Sequence, residues 1–390
     1  MSGTMYFGGI EGGATHSNLI ICDGTGKVVG TARGLGTNHW TLGIEGCAER
    51  ILDMVRMGKE SAGIPQDRPL DSLGLTLSGC EQDSSNAQLA ACVREKNENT
   101  SRAIYVASDT AGSLYTGAPD GGMVVIAGTG SNALLRTPDG EQHGCGGWGF
   151  LLGDEGGAYW IAHKAVKLVF DEMDGLYPAP HPTHQVWEVI REHFGVDTRA
   201  DLLPHAYKHF DKPHFAGATI KLSKLAFQGD PLARYLFTEA GGTIAAHIVA
   251  LAQRTSARRL RVVCVGSVWK SWELLKPGVL KEFARRRLKT ELELVRLRVS
   301  SAMGAAWLAA KHINYELPRD DSAFCSIFYD YLPDTHTNGV YDNGTHENGT
   351  NGVQNGVYLK NGTLENGTNG HCKMNGNHNG VLSEEVCGNC

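Results

Sequence analysis

The sequence predicts an α/β protein built as two halves, 1–118 and 119–332, with a ligand cleft between them and a low-complexity tail over 333–390. Three observations carry this. Two glycine-rich strand–turn–strand units, over 8–15 and 124–132, recur about 114 residues apart. After each unit, short apolar runs alternate with stretches of helical spacing, as strand–helix–strand crossovers require. The composition then breaks near Pro333.

In the first half, 6–10 reads as a buried strand. Residues 16–22 and 27–33 read as two more, joined at the turn signal Asp23-Gly24-Thr25-Gly26. Residues 41–62 carry Leu42, Ile44, Ile51, Met54 and Val55 at helical spacing and stop at Gly63-Ile64-Pro65. Short buried strands follow over 73–77 and 103–107, with a helix over about 86–96 between them. The second half repeats the opening: a strand at 123–126, another at 133–137, and a turn at Pro138-Asp139-Gly140. Helices follow over about 155–173, 184–194, 218–228 and 231–254. A last strand over 261–265 leads into a helix from about Lys270, and 301–313 is a helix of small residues.

The tail holds ten Asn-Gly dipeptides, with apolar residues scattered at neither strand nor helix period. A segment this polar cannot offset its ordering entropy by burial, so disorder is expected. Its sequons at Asn343, Asn348, Asn361 and Asn366 read as drift in a simple repeat. With the turns, the tail explains why 50 of 390 residues are Gly, about 13% against roughly 7% on average.

Lys plus Arg number 36 and Asp plus Glu 42, a net charge of -6 that argues against a nucleic-acid partner. No apolar run approaches the roughly 18 residues of a membrane span, so no membrane partner is expected. The first six residues have neither a basic nor an apolar leader region, which predicts a cytoplasmic protein. Cys22, Cys47, Cys80, Cys92, Cys145, Cys264 and Cys325 are far apart, in apolar or glycine-rich contexts, as reduced structural thiols are. Cys387 and Cys390 have the spacing of half a zinc site.

Six constellations carry chemistry. In 8–15 the turn exposes backbone N–H groups to phosphate oxygens, Glu11 can hold a magnesium water, and the Thr15 hydroxyl can donate. A tight turn alone would also ask for these glycines. In 124–132 an apolar strand enters Gly128-Thr129-Gly130; it lacks the P-loop Lys and the directly following helix of a dinucleotide site. Asp109 sits where a strand ends and a helix begins, as a helix cap or as a general base. In 144–157 seven glycines surround Trp148, whose face suits a sugar ring, and Asp154 can accept from sugar hydroxyls; Glu155 reads as a first-turn carboxylate. Thr37-Asn38-His39-Trp40 is a polar cluster before a helix, and 262–271 is a strand entering a small-residue turn able to admit an adenosine.

In this order the residues resemble the sugar kinase/actin/Hsp70 superfamily and, more narrowly, the eukaryotic N-acetyl-D-glucosamine kinases. The likeness runs over about 6–331, and 37–40, 131–132, 144–149, 153–156, 158–163, 210–212 and 264–275 match that family closely. The resemblance implies a two-domain actin-like ATPase fold (ribonuclease H-like) and transfer of the γ-phosphoryl group of ATP, with Mg2+, to the 6-hydroxyl of N-acetylglucosamine. Asp109 falls on the catalytic base. Asn38, Gly147, Trp148, Gly149 and Asp154 fall on sugar-binding positions, with Asp109. Thr15 and Thr129 fall on phosphate-contacting positions, and Ala216, Ser267 and Ser271 on the adenosine side. A homodimer is implied. Ala14 replaces a glycine of the family's phosphate turn, His16 replaces a basic residue, and 251–260 and 280–297 are short. These departures keep a second reading open, a kinase-like sugar sensor. A third, the ATPases that activate iron–sulfur dehydratases, shares Gly153-Asp154-Glu155-Gly156 but would need clustered cysteine ligands.

Overall fold

A computed structural model describes residues 4–13, 15–319 and 324–333. Ala14 and the tail, with its expected disorder, its sequons and its Cys387/Cys390 pair, lie outside the described residues.

The first half opens as an antiparallel meander of β1 (Tyr6–Gly12), β2 (His16–Asp23) and β3 (Val28–Leu35). Then come α1 (His39–Ala62), β4 (Ser72–Leu77), α2 (Asp83–Lys96) and β5 (Ile104–Ser108). β4 joins β1 in parallel and β5 joins β4, giving the order β3-β2-β1-β4-β5. Parallel neighbours need crossovers, which α1 and α2 supply. β4 is buried at every position because helices cover both faces of the sheet.

From α3 (Asp109–Gly117) the chain forms β6 (Gly122–Ala127), β7 (Ser131–Arg136) and β8 (Gln142–Gly146). Helices α4 (Ala158–Met173), α5 (His184–Phe194), α6 (Lys212–Gln228) and α7 (Pro231–Ala252) follow. The chain closes with β9 (Arg259–Val265), α8 (Trp272–Arg285), β10 (Glu291–Leu297), α9 (Ala302–His312) and β11 (Cys325–Tyr331). The second sheet has the order β11-β10-β9-β6-β7-β8. Without β11 it repeats the first sheet strand for strand, with the same directions. The expected repeat is therefore present, although β8, β10 and β11 are additions to the sequence reading. α4 starts three residues later than expected because Asp154 and Gly156 take positive φ (63° and 79°).

The largest core lies between the second sheet and α4–α8. α7 is its spine. This 22-residue helix is long and apolar enough to cross a membrane by length and composition, which corrects the expectation that no stretch approaches that length. Its Leu232, Leu236, Phe237, Ile244 and Ile248 are buried in the core, so packing accounts for the apolar run. Between the sheets lie α9, on β1 and β4, and α3, on β6 and β9. They meet backbone to backbone: a Cβ on Gly304 would stand 2.0 Å from the Gly112 carbonyl oxygen. Burial pushes the Cys22 and Cys47 thiols up to about 12, which keeps them protonated and unreactive.

Candidate active site

The two glycine-rich turns meet. The β1–β2 ladder ends at Gly12 and Ser17, and Gly13 N donates to His16 O (2.9 Å) to close the first turn. Gly36 N donates to Thr15 O (3.0 Å), tying that turn to the end of β3. The β6–β7 ladder ends at Ala127 and Ser131, and Gly128 N donates to Gly130 O (2.9 Å). The first amides of α4 cap this second turn, Ala158 N on Gly128 O (2.8 Å) and Tyr159 N on Thr129 O (3.0 Å). Thr15 Oγ1 and Thr129 Oγ1 lie 3.2 Å apart.

A third segment backs the second turn. Gly266 has φ 108°, and a Cβ there would fall 2.2 Å from Ala127 O and 2.7 Å from Gly128 N. Only glycine allows the following 3-10 turn, Ser267–Ser271, to lie so close. Ser267 is exposed and Ser271 buried. Ala216 is buried in the core, one turn into α6. His16 is exposed at the start of β2.

Carboxylates gather at the same edge of the first sheet. Register pairs Gly12 with Leu77 and Leu77 with Ser108, so Asp109 leaves the sheet two strands from the first turn, about 10 Å away. Its carboxyl is pushed up to about 7, first by burial, then by the Glu81 charge and, more weakly, by Glu11. Ser108 Oγ lies 3.3 Å from both Asp109 Oδ1 and Glu81 Oε1, and its single proton can serve only one at a time. Burial also raises Glu81. Glu11 accepts from Asn18 Nδ2 (2.7 Å) on one oxygen and from Ser301 Oγ, the N-cap of α9, on the other. Hard oxygen donors beside two hydroxylated phosphate-type turns fit a hydrated magnesium ion.

The remaining predicted residues divide. Asn38 caps α1, its Oδ1 accepting from Trp40 N (2.9 Å), while Trp40 Nε1 donates to Gly79 O (3.0 Å). Gly147 and Gly149 take φ of 78° and 77°, and Gly147 lies against the Asn132 side chain. Trp148 stands 74% exposed on this loop. Asp154 is buried behind the second turn, Oδ1 accepting from Ser131 N (3.0 Å) and Oδ2 from Lys212 Nζ (2.7 Å). The fold thus brings Thr15, Thr129, Glu11 and Asp109 to the same end of the paired sheets, with Asp154 behind the second turn. Trp148 is left in solvent and Ala216 in the core.

Sequence reasoning missed Lys212, Ser108 and Glu81. A buried Asp154 requires a counter-ion, and Glu81 follows the end of β4, the parallel neighbour of β5. Each was a usable signal.

The profile described as the BadF/BadG/BcrA/BcrD ATPase family matches residues 9–309. A glucosamine kinase of Vibrio cholerae is 27% identical over 271 residues, 67% of this chain and 85% of that one. An N-acetyl-D-glucosamine kinase of Dictyostelium discoideum is 24% identical over 323 residues, 78% and 97% of the two chains. Among solved structures, a candidate N-acetylglucosamine kinase of Chromobacterium violaceum superposes with TM-score 0.64 at 25% identity, covering 78% of this chain and 99% of that one. A ROK family glucokinase of Streptomyces griseus, solved with glucose and AMPPNP, shares the fold at TM-score 0.52 and 16% identity, covering 79% and 100%. The paired sheets are therefore those of the sugar kinase/actin-like superfamily. Because the match spans both sheets' phosphate-type turns and runs on through α9 as far as Ala309, this chain belongs to the BadF/BadG/BcrA/BcrD ATPase family.

Proposed function

We propose that this chain transfers the γ-phosphoryl group of ATP to the 6-hydroxyl of N-acetyl-D-glucosamine. The observation that carries the reading is Asp109, a carboxylate held near 7 beside two facing hydroxylated turns. A base acting at neutral pH has its best compromise between strength and availability near that value. The V. cholerae and D. discoideum relatives, both amino-sugar kinases by name, support the substrate class.

Asp109 takes the proton of the sugar hydroxyl as its oxygen attacks phosphorus. Thr15, Thr129 and the turn amides receive the phosphate oxygens, so positioning and charge stabilisation supply most of the acceleration. Magnesium, when bound, offsets phosphate charge, and Glu11 holds it through water. Asn38, Asp154, Gly147, Trp148 and Gly149 take the sugar. Ser267, Ser271 and the α6 backbone around Ala216 take the adenosine side. Closure of 1–118 on 119–332 brings the exposed Trp148 onto the sugar and excludes water, which limits wasteful hydrolysis. The cytoplasmic location and the homodimer belong to the same proposal.

The test is coupled ADP release from the full chain with ATP and magnesium, comparing N-acetylglucosamine, glucosamine, glucose and no sugar. Turnover with N-acetylglucosamine, and a product carrying phosphorus on O6 by NMR, is expected. Sugar binding by calorimetry with no ADP release would overturn the kinase in favour of a sensor.

A further inference from the structure

A cavity of about 240 Å³ lies away from the cleft, between the two sheets. It is lined by Tyr105, Tyr115, Arg136, Gln142, Lys311 and His312, and otherwise by aliphatic carbon. Each position sits at the end of its element remote from the cleft. Arg136 ends β7, whose first residue, Ser131, borders the second turn. Gln142 begins β8, which runs toward the Gly147–Gly149 loop. Tyr105 is near the start of β5, while Asp109 follows its end. Lys311 and His312 end α9, whose N-cap Ser301 touches Glu11. The cavity therefore touches both sheets from behind the α3–α9 pair.

Cations dominate its lining, although the Asp83 charge reaches Tyr105. Arg136 and Lys311 approach the Tyr115 ring from 5.8 and 5.7 Å, and the His312 ring lies 5.6 Å from that of Tyr105. Among the described residues, no carboxylate lies within 4.0 Å of Arg136, Lys311 or His312. Arg136 gives one N–H to the Pro119 carbonyl, and its buried Nε has no partner. Unpaired cations in a partly buried site attract an anion, and a guanidinium fork suits phosphate oxygens. At roughly 30 Å³ per water the space holds about eight waters, below the range of drug-sized pockets and too small for a nucleotide. The part-buried Arg136 and the exposed Lys311 together match a dianion, and two phenol rings offer it apolar walls.

We propose that this cavity binds a small phosphate-bearing anion, inorganic phosphate or a compact phosphomonoester, on Arg136 and Lys311. The proposal is independent of the reaction assigned to the cleft.

Calorimetry on the full chain with inorganic phosphate and with glucose 6-phosphate tests it. Lys311 and His312 are exposed, so Lys311→Gln/His312→Gln should keep the wild-type melting temperature. This variant should weaken binding about tenfold or more, as loss of charge-assisted hydrogen bonds does. Arg136→Lys, which keeps the charge but not the fork, should also weaken it. Thr15→Val/Thr129→Val, which alters only the cleft turns, should leave it unchanged. A tighter fit for glucose 6-phosphate assigns a phosphomonoester, and equal affinity assigns free phosphate. Binding that survives the Lys311/His312 change, binding lost with the turn variant, or no heat from either probe at about 1 mM would overturn the proposal.

Discussion

The Thr15 and Thr129 hydroxyls face each other at 3.2 Å, one turn from each sheet, although 114 residues separate them. A hydroxyl that bonds another hydroxyl here can exchange that bond for a phosphate oxygen once nucleotide enters. Thr129→Val removes that donor without changing shape. The KM for ATP should rise about tenfold to a hundredfold, the usual range for a hydrogen bond to a charged group. The KM for sugar should stay constant. Steady-state kinetics with each substrate varied in turn checks this, and an equal rise in both would place Thr129 outside the phosphate site.

Asp109→Asn keeps the shape and the first-turn position on α3 but cannot accept the proton. Turnover should fall by about 10²–10⁴, the range for loss of a positioned base. Sugar affinity by calorimetry should change little. If turnover persists within about tenfold, the base lies elsewhere.

The pH profile separates Asp109 from its neighbours. Since burial and Glu81 push its carboxyl up to about 7, kcat/KM should fall as pH drops below 7, and Glu81→Gln should move that limb to lower pH. Stability runs the other way. A carboxyl whose folded pKa is raised gives stability below its ordinary value, and this is lost as pH rises through 7. Asp109→Asn should therefore melt higher than wild type at pH 8, with the gap shrinking steadily as pH falls and closing only below the ordinary carboxylate range. A profile with no Glu81-dependent limb would remove Asp109 as the titrating group.

Much of the fold was legible because hydrophobic period and turn chemistry agree locally, as at β1–β3 and at the Gly63-Ile64-Pro65 stop after α1. What stayed hidden depends on distant partners. β8 is a polar, glycine-rich strand that exists because β7 offers it a ladder. β10 alternates Glu and Leu beside basic residues, and its glutamates read as strand only once Arg258, Arg259 and Arg261 lie across from them. α6 begins at Lys212, six residues before its apolar spacing becomes clear, and Lys212 there meets Asp154. For the site, the residue types at Thr15, Thr129 and Asp109 were readable from the strand-turn pattern. Glu81 and Lys212 were not, since only the register of β4 on β5 and the docking of α6 bring them in.

Asp154 tests whether that hidden part matters. Its carboxylate is buried at φ 63°, a conformation Asn tolerates at least as well as Asp, so Asp154→Asn isolates the charge from the backbone. The Lys212 side chain is 22% exposed, so losing the pair should cost about 2 kcal/mol, less than the roughly 3–5 kcal/mol of a fully buried pair. At roughly 2–4 °C per kcal/mol for a chain of this size, the melting temperature should drop by about 5 °C in either Asp154→Asn or Lys212→Met. The double variant should recover part of that loss, because it leaves no orphaned charge. The two single variants should differ in function. Lys212→Met leaves Asp154 on Ser131 N and free to accept from a sugar hydroxyl, whereas Asp154→Asn loses the anionic acceptor. Sugar affinity should therefore fall more in Asp154→Asn than in Lys212→Met. If both lose sugar affinity equally while their melting temperatures match the double variant, Asp154 works only as the pin of the second turn.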